Sequence, residues 1–156
     1  MLARTSVVFL AGLALAASQV TAQSSAGDLE FTGCNPGAQY PLSVHSIRVS
    51  PSPPKFGAPV KVTAVGDLSS TVSQGARAII TAKLGPFTQS REFNICSGSA
   101  NSKLACPIAP GSNKRISITA DLPDIPLRDE NVELNVQLVN SDETTLVCLN
   151  TNVVIA

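Results

Sequence analysis

Val132, Leu134, Val136 and Leu138 alternate with Glu133, Asn135 and Gln137. A period of two sends successive side chains to opposite faces, so this stretch predicts a strand with one dry face. The same pattern recurs along the chain. Val60, Val62 and Ala64 oppose Lys61 and Thr63; Phe93 and Ile95 share a face; Ile116 and Ile118 oppose Ser117 and Thr119. In residues 42–50 the alternation is imperfect at Val44 and His45, then resumes at Ile47 and Val49. Residues 145–155 supply a last apolar strand. Residues 76–84 admit two readings. A helix groups Ala76, Ile79, Ile80 and Leu84, whereas a strand groups Ala78, Ile80, Ala82 and Leu84. The β-branched Ile-Ile-Thr run, the short length, and the flanking Gly75 and Gly85-Pro86 decide for a strand. Between these segments stand PSPPKFG (51–57), DLPDIPLRD (121–129) and SDET (141–144), which break regular structure. Residues 23–33 read as a loose polar lead-in to Cys34. Seven or so strands without an amphipathic helix predict an all-β fold, an antiparallel β-sandwich of immunoglobulin-like type. The core is mainly aliphatic, because the chain has no Trp and one Tyr, Tyr40.

The first residues predict a compartment. Arg4 precedes an apolar run at 7–17, and Val20-Thr21-Ala22 offers small side chains around a cleavage site. This is the pattern of a secretory signal peptide over 1–22. The run is shorter than the roughly 20 apolar residues that a membrane span needs. A single domain over 23–156 remains, long enough to bury a core. Eleven basic and eleven acidic residues balance over the chain, and no charge run stands out, so electrostatic nucleic-acid binding is not expected.

Four cysteines in a secreted chain predict two disulfides, with three connectivities open on arithmetic alone. Pairing Cys96 with Cys106 and Cys34 with Cys148 is preferred, because each bridge then closes one simple unit: a local loop and an end-to-end clasp. A zinc knuckle would need paired CxxC-like spacings, which are absent.

Chemistry-bearing constellations are also absent. His45 is the single histidine and reads as an ordinary strand residue. No GxSxG elbow, phosphate-cradling loop or dinucleotide fingerprint occurs. Asp121, Asp124, Asp129 and Glu130 fall in a crossover and read as solvated turn residues rather than a glycosidase pair. The expectation is a protein that is not an enzyme, has no metal or cofactor, and acts by binding. Small inward residues (Ala64, Ala78, Ala82) leave room between two sheets or pack against Phe87 and Phe93.

The order of landmarks carries a resemblance. Cys34 comes first, then HSIRVSPSPPKFG, ITAKLGPF, FNIC with a short loop to CPI, and VELNVQLVNSDETTLVCL. Over residues 31–155 this resembles the ML lipid-recognition family, which includes the soluble Niemann–Pick type C sterol carrier and the fungal phosphatidylglycerol/phosphatidylinositol transfer proteins. The resemblance implies a sandwich holding one lipid between its sheets, and the same disulfide pairing as above. The animal sterol carriers have a third bridge after VSP; here Ser52 and Lys55-Phe56-Gly57 bring no cysteine, which points to the fungal branch. Carried over position by position, the implied lipid-lining residues are Val62, Ala64, Ile80, Ala82, Phe87, Phe93, Ile95, Pro107, Ile108, Ile118, Leu134, Val136 and Leu138. Lys83, Lys114 and Arg115 are candidates to meet a headgroup at the portal, and the 96–106 bridge is expected to brace that portal.

The function expected is intermembrane transfer of one phospholipid or sterol, by a monomer that visits membranes transiently in the secretory pathway, outside the cell or in a vacuolar or lysosomal lumen. The alternatives are a lipid-presenting partner of a membrane receptor or sterol transporter, and an immunoglobulin-like module without a ligand.

Overall fold

The breakers divide the chain where the alternation predicts. In a computed structural model, residues 27–96, 105–124, 126 and 128–156 are described; the expected leader at 1–22 and the middle of the cysteine loop lie outside them. Nine strands follow in order: β1 (Gly27–Leu29), β2 (Phe31–Gly33), β3 (Leu42–Ser50), β4 (Pro59–Leu68), β5 (Arg77–Leu84), β6 (Phe87–Asn94), β7 (Gly111–Asp121), β8 (Glu130–Val139) and β9 (Thr145–Ile155). They form two antiparallel sheets, ordered β1-β3-β4-β7 and β2-β9-β8-β5-β6. No described residue lies in a helix.

Residues 76–84 are a strand, as the β-branched run required. β5 pairs with β6 on one side and β8 on the other, and a two-residue turn, Gly85-Pro86, joins β5 to β6. Gly85 takes φ 55°, which a side chain would disfavour and which suits a tight hairpin. The broken alternation near His45 is a register shift: Val44 pairs with Gly66, and Ser46 already pairs with Val65. The bulged His45 sits outside the ladder, with Nε2 3.0 Å from an Asp67 carboxylate oxygen.

The lead-in to Cys34 is not loose. β1 pairs with β3 and β2 with β9, so the chain changes sheets at Glu30. Three residues hold too little alternation to announce a strand. The ladder to existing edges, the Arg48–Asp28 ion pair at 2.7 Å and a hydrogen bond from the Thr151 hydroxyl to the Glu30 carbonyl order the stretch instead.

Both disulfides form as preferred, Cys34–Cys148 and Cys96–Cys106, each with a Cα–Cα distance of 5.4 Å. Because only Glu30 separates β1 from β2, those two sheet edges lie together. The Cys34–Cys148 bridge reinforces this closed side by tying the end of β2 to β9. The opposite edges, β6 and β7, flank the other side, and the loop carrying the 96–106 bridge connects them.

Candidate functional site

Register fixes which side chains face between the sheets. In the five-stranded sheet one inward row is Phe93, Ala78, Leu138 and Val147; the next is Arg91, Ile80, Val136 and Leu149; the next is Gln89, Ala82, Leu134, Thr151 and Phe31. In the four-stranded sheet the facing rows are Ile47, Ala64 and Ile116, then Val49, Val62 and Ile118.

These rows do not close into one solid core. A larger buried cluster, around Leu42, Ile95, Leu138 and Leu146, occupies the disulfide end. A smaller one, Val132, Val153 and Ile155, occupies the other end. Between them seven inward apolar residues are only half-buried, Val62, Ala64 and Ile118 on one sheet and Ile80, Ala82, Leu134 and Val136 on the other, while Val49 and Leu149 in the same rows are buried. Ile80 and Val136 pair in register yet join neither cluster. Inward aliphatics in a close-packed sandwich are shielded by the opposing sheet. Their residual exposure makes them the candidate lipid-facing surface between the sheets. The small side chains of Ala64 and Ala82 leave room there.

The implied lining residues therefore fall into three groups. In the half-buried group, Val62, Ala64, Phe93 and Ile118 pack against the larger cluster, Ala82 and Leu134 pack against the smaller, and Ile80 and Val136 join neither. Ile95 (0% exposed) and Leu138 (6%) are wholly buried in the larger cluster, and Ile108 packs against that cluster while its backbone pairs with Val72. Phe87 is 75% exposed after the β5–β6 turn, and Pro107 is exposed. The sequence passed over Phe31, because it lay in the stretch expected to be loose. It also passed over Arg91, although Arg91 has the same parity as Phe93.

The three basic candidates separate too. Lys83 faces outward, its amine 3.5 Å from Glu133. Arg115 pairs with Val65 and alternates with the inward Ile116, so it also faces out. Lys114 has the inward parity of Ile116 and is half-buried.

Polar features elsewhere are structural. Arg77 (side chain 23% exposed) lies 2.6 Å from Glu143 and 3.0 Å from Glu92, tying β5 to β6 and to the β8–β9 turn. The hydrogen bond from Arg77 holds the Glu143 carboxyl below its ordinary range, and the opposite charge adds to this. Hydrogen bonding from Thr144 does the same for Asp142. The buried Asn140 side chain accepts from the Ser73 amide (2.8 Å) and donates to the Thr71 carbonyl (3.0 Å). A groove of about 980 Å³ is lined by Thr81, Glu133, Asn135, Asn150 and Asn152 on the outer face of the five-stranded sheet and also by Leu29, Phe31 and Leu134. Among the described residues, no group of three or more His, Cys, Asp or Glu is placed to hold a metal.

The ML domain profile matches residues 28–155, nearly all of the described chain. The chain belongs to the ML domain family. This ML-domain chain is 31% identical over 133 residues to a phosphatidylglycerol/phosphatidylinositol transfer protein of Aspergillus oryzae, covering 84% of this chain and 74% of that protein. A protein of the same description from Cryptococcus neoformans var. neoformans is 34% identical over 113 residues, covering 70% of this chain and 61% of its own length. Among solved structures, the Niemann-Pick type C2 protein of the Japanese carpenter ant superposes with a TM-score of 0.62 at 15% identity, over 81% of this chain and 99% of that one. At that identity the likeness is one of fold: the ML-domain β-sandwich.

Proposed function

We propose that this ML-domain chain binds one lipid between its sheets and carries it between membranes. The carrying observation is the split core: two buried clusters are separate, and the inward Ile80 and Val136 stay half-buried outside both. A lipid tail leaving a bilayer meets water at about 0.8 kcal/mol per methylene. An apolar space between sheets removes that cost during diffusion, and the lipid in turn covers Ile80, Val136 and their neighbours. Relatives described as phosphatidylglycerol/phosphatidylinositol transfer proteins support a phospholipid as cargo. No step requires bond-making chemistry, so the protein acts as a carrier rather than an enzyme. It works as a monomer and touches membranes transiently. Two disulfides support work in the secretory pathway, outside the cell or in a vacuolar or lysosomal lumen, in keeping with the leader expected at 1–22.

The test is organic extraction of the natively purified protein, mass spectrometry of the extract, and transfer of fluorescent phospholipid and sterol between vesicles. The expected result is about one lipid per chain and catalytic transfer. Recovery of no stoichiometric lipid, together with no transfer of either probe, would overturn the proposal.

A further inference from the structure

The open side of the sandwich is bordered by β6 and β7, and its inward positions are not all apolar. On β6, Arg91 pairs directly with Ile80 and therefore projects to the same face as Ile80 and Val136. Paired residues in an antiparallel ladder share a face, so this placement follows from the register. Arg91 is exposed while Ile80 is half-buried, which puts the guanidinium at the rim with its strand neighbour inside. The ion pairs among the described residues use His45, Arg48, Arg77 and Lys83; Arg91 is in none of them. The acid beside it on β6, Glu92, faces the other way and is held by Arg77. On β7, Lys114 also has inward parity and no ion pair among the described residues, its side chain lying beside Gly111. A cation on the inward face of an edge strand, in no ion pair and one step from the half-buried Ile80, is arranged to meet an anion whose apolar part lies inside. A guanidinium suits a phosphate because its planar fork donates two parallel hydrogen bonds.

We infer that Arg91 is the headgroup-reading residue, selecting a phospholipid whose headgroup is anionic. The inference rests on the carrier function proposed above and goes further by naming the side chain that reads the headgroup.

The test uses the full chain stripped of lipid. Phosphatidylglycerol and phosphatidylcholine with identical acyl chains are loaded separately, and retention is measured on the soluble complex after removal of vesicles, which separates headgroup reading from attraction to a charged membrane. The wild type should retain phosphatidylglycerol better. Arg91→Gln should lower that retention about tenfold, the loss expected for a charge-assisted contact, and leave phosphatidylcholine unchanged. Arg91→Lys should keep part of the preference. Arg115→Gln removes the same charge from the outer face and should change nothing. Inorganic phosphate at millimolar concentration should not displace the lipid. The inference is overturned if Arg91→Gln binds both lipids in the wild-type ratio, if Arg115→Gln has an equal effect, or if phosphate alone competes fully, which would make the site one for a free anion. Failure of the wild type to retain either lipid would instead overturn the carrier function itself.

Discussion

Val136 and Leu138 stand two residues apart on one strand and point the same way, yet they belong to different environments. Leu138 is sealed in the larger cluster; Val136 is half-buried and in neither cluster. Val136→Trp should fill empty space, cost less than the roughly 1–3 kcal/mol typical of overpacking, and reduce lipid loading and transfer severely. Leu138→Trp should cost at least that range and unfold the domain before its effect on transfer can be read. Denaturant titration alongside transfer rates checks both. If Val136→Trp transferred normally, the lipid-facing surface would lie elsewhere. Period two gave the face of each residue but not its depth along the strand, which is why Ile95 and Leu138 joined the same expected set as Val136. Arg91 was illegible for a related reason. Charged residues are assigned outward by default, and only an edge strand beside an opening tolerates one inward.

A second residue-scale consequence concerns acid. Glu143 has a lower pKa folded than in an unfolded chain, because the Arg77 hydrogen bond favours its charged form. Its stabilising contribution is therefore complete above the ordinary glutamate value of 4.5 and is lost as pH falls through the depressed folded value. Asp142 acts with the same sign. Glu143→Gln should be less stable than wild type near neutral pH, and the two should converge as pH drops below about 4. Urea midpoints measured from pH 7 to pH 3 check this; a constant gap between the two curves would sink it.

At the scale of elements, the two bridges divide the work. Cys34–Cys148 spans a sequence separation of 114 and reinforces the closed side, whereas Cys96–Cys106 spans 10 and joins the strands that flank the open side. The chain-entropy model gives about 5 kcal/mol for the first and about 3 for the second. Replacing Cys34 and Cys148 by Ser together should lower the denaturation midpoint more. Replacing Cys96 and Cys106 by Ser together should speed lipid release while the domain remains folded. Lipid off-rates measured beside circular dichroism distinguish these effects; release that merely tracks unfolding in the 96/106 variant would make that bridge a general staple. Most of the long strands were legible because one face is dry and one wet over eight residues or more; β6, exposed apart from Phe93, was legible only from Phe93 and the following Ile95. β1 and β2 were not, since their order comes from pairing with distant edges and from the Glu30 crossing, which a local pattern does not encode.

For the whole molecule, the decisive property is that the core is divided in two. A sandwich with an apolar space at its centre forgoes dispersion contacts there, so an apolar occupant should repay part of that loss. A ligand that binds the native state alone stabilises it by RT ln(1 + [L]/Kd), about 2.7 kcal/mol at a hundredfold excess over Kd. For a domain of this size each kcal/mol moves the midpoint by about 2–4 °C. Stripping bound lipid should therefore lower the melting temperature by about 5–10 °C, and adding phospholipid back should restore it. Water-soluble headgroup analogues without tails should restore little, because most of the stabilisation comes from covering Ile80, Val136 and the facing Val62 and Ile118. Calorimetry on stripped and reloaded protein checks this directly. An unchanged melting temperature after complete stripping would mean that the two clusters are held together without an occupant, and that the central residues owe their exposure to a shallow cleft rather than to a site for a lipid tail.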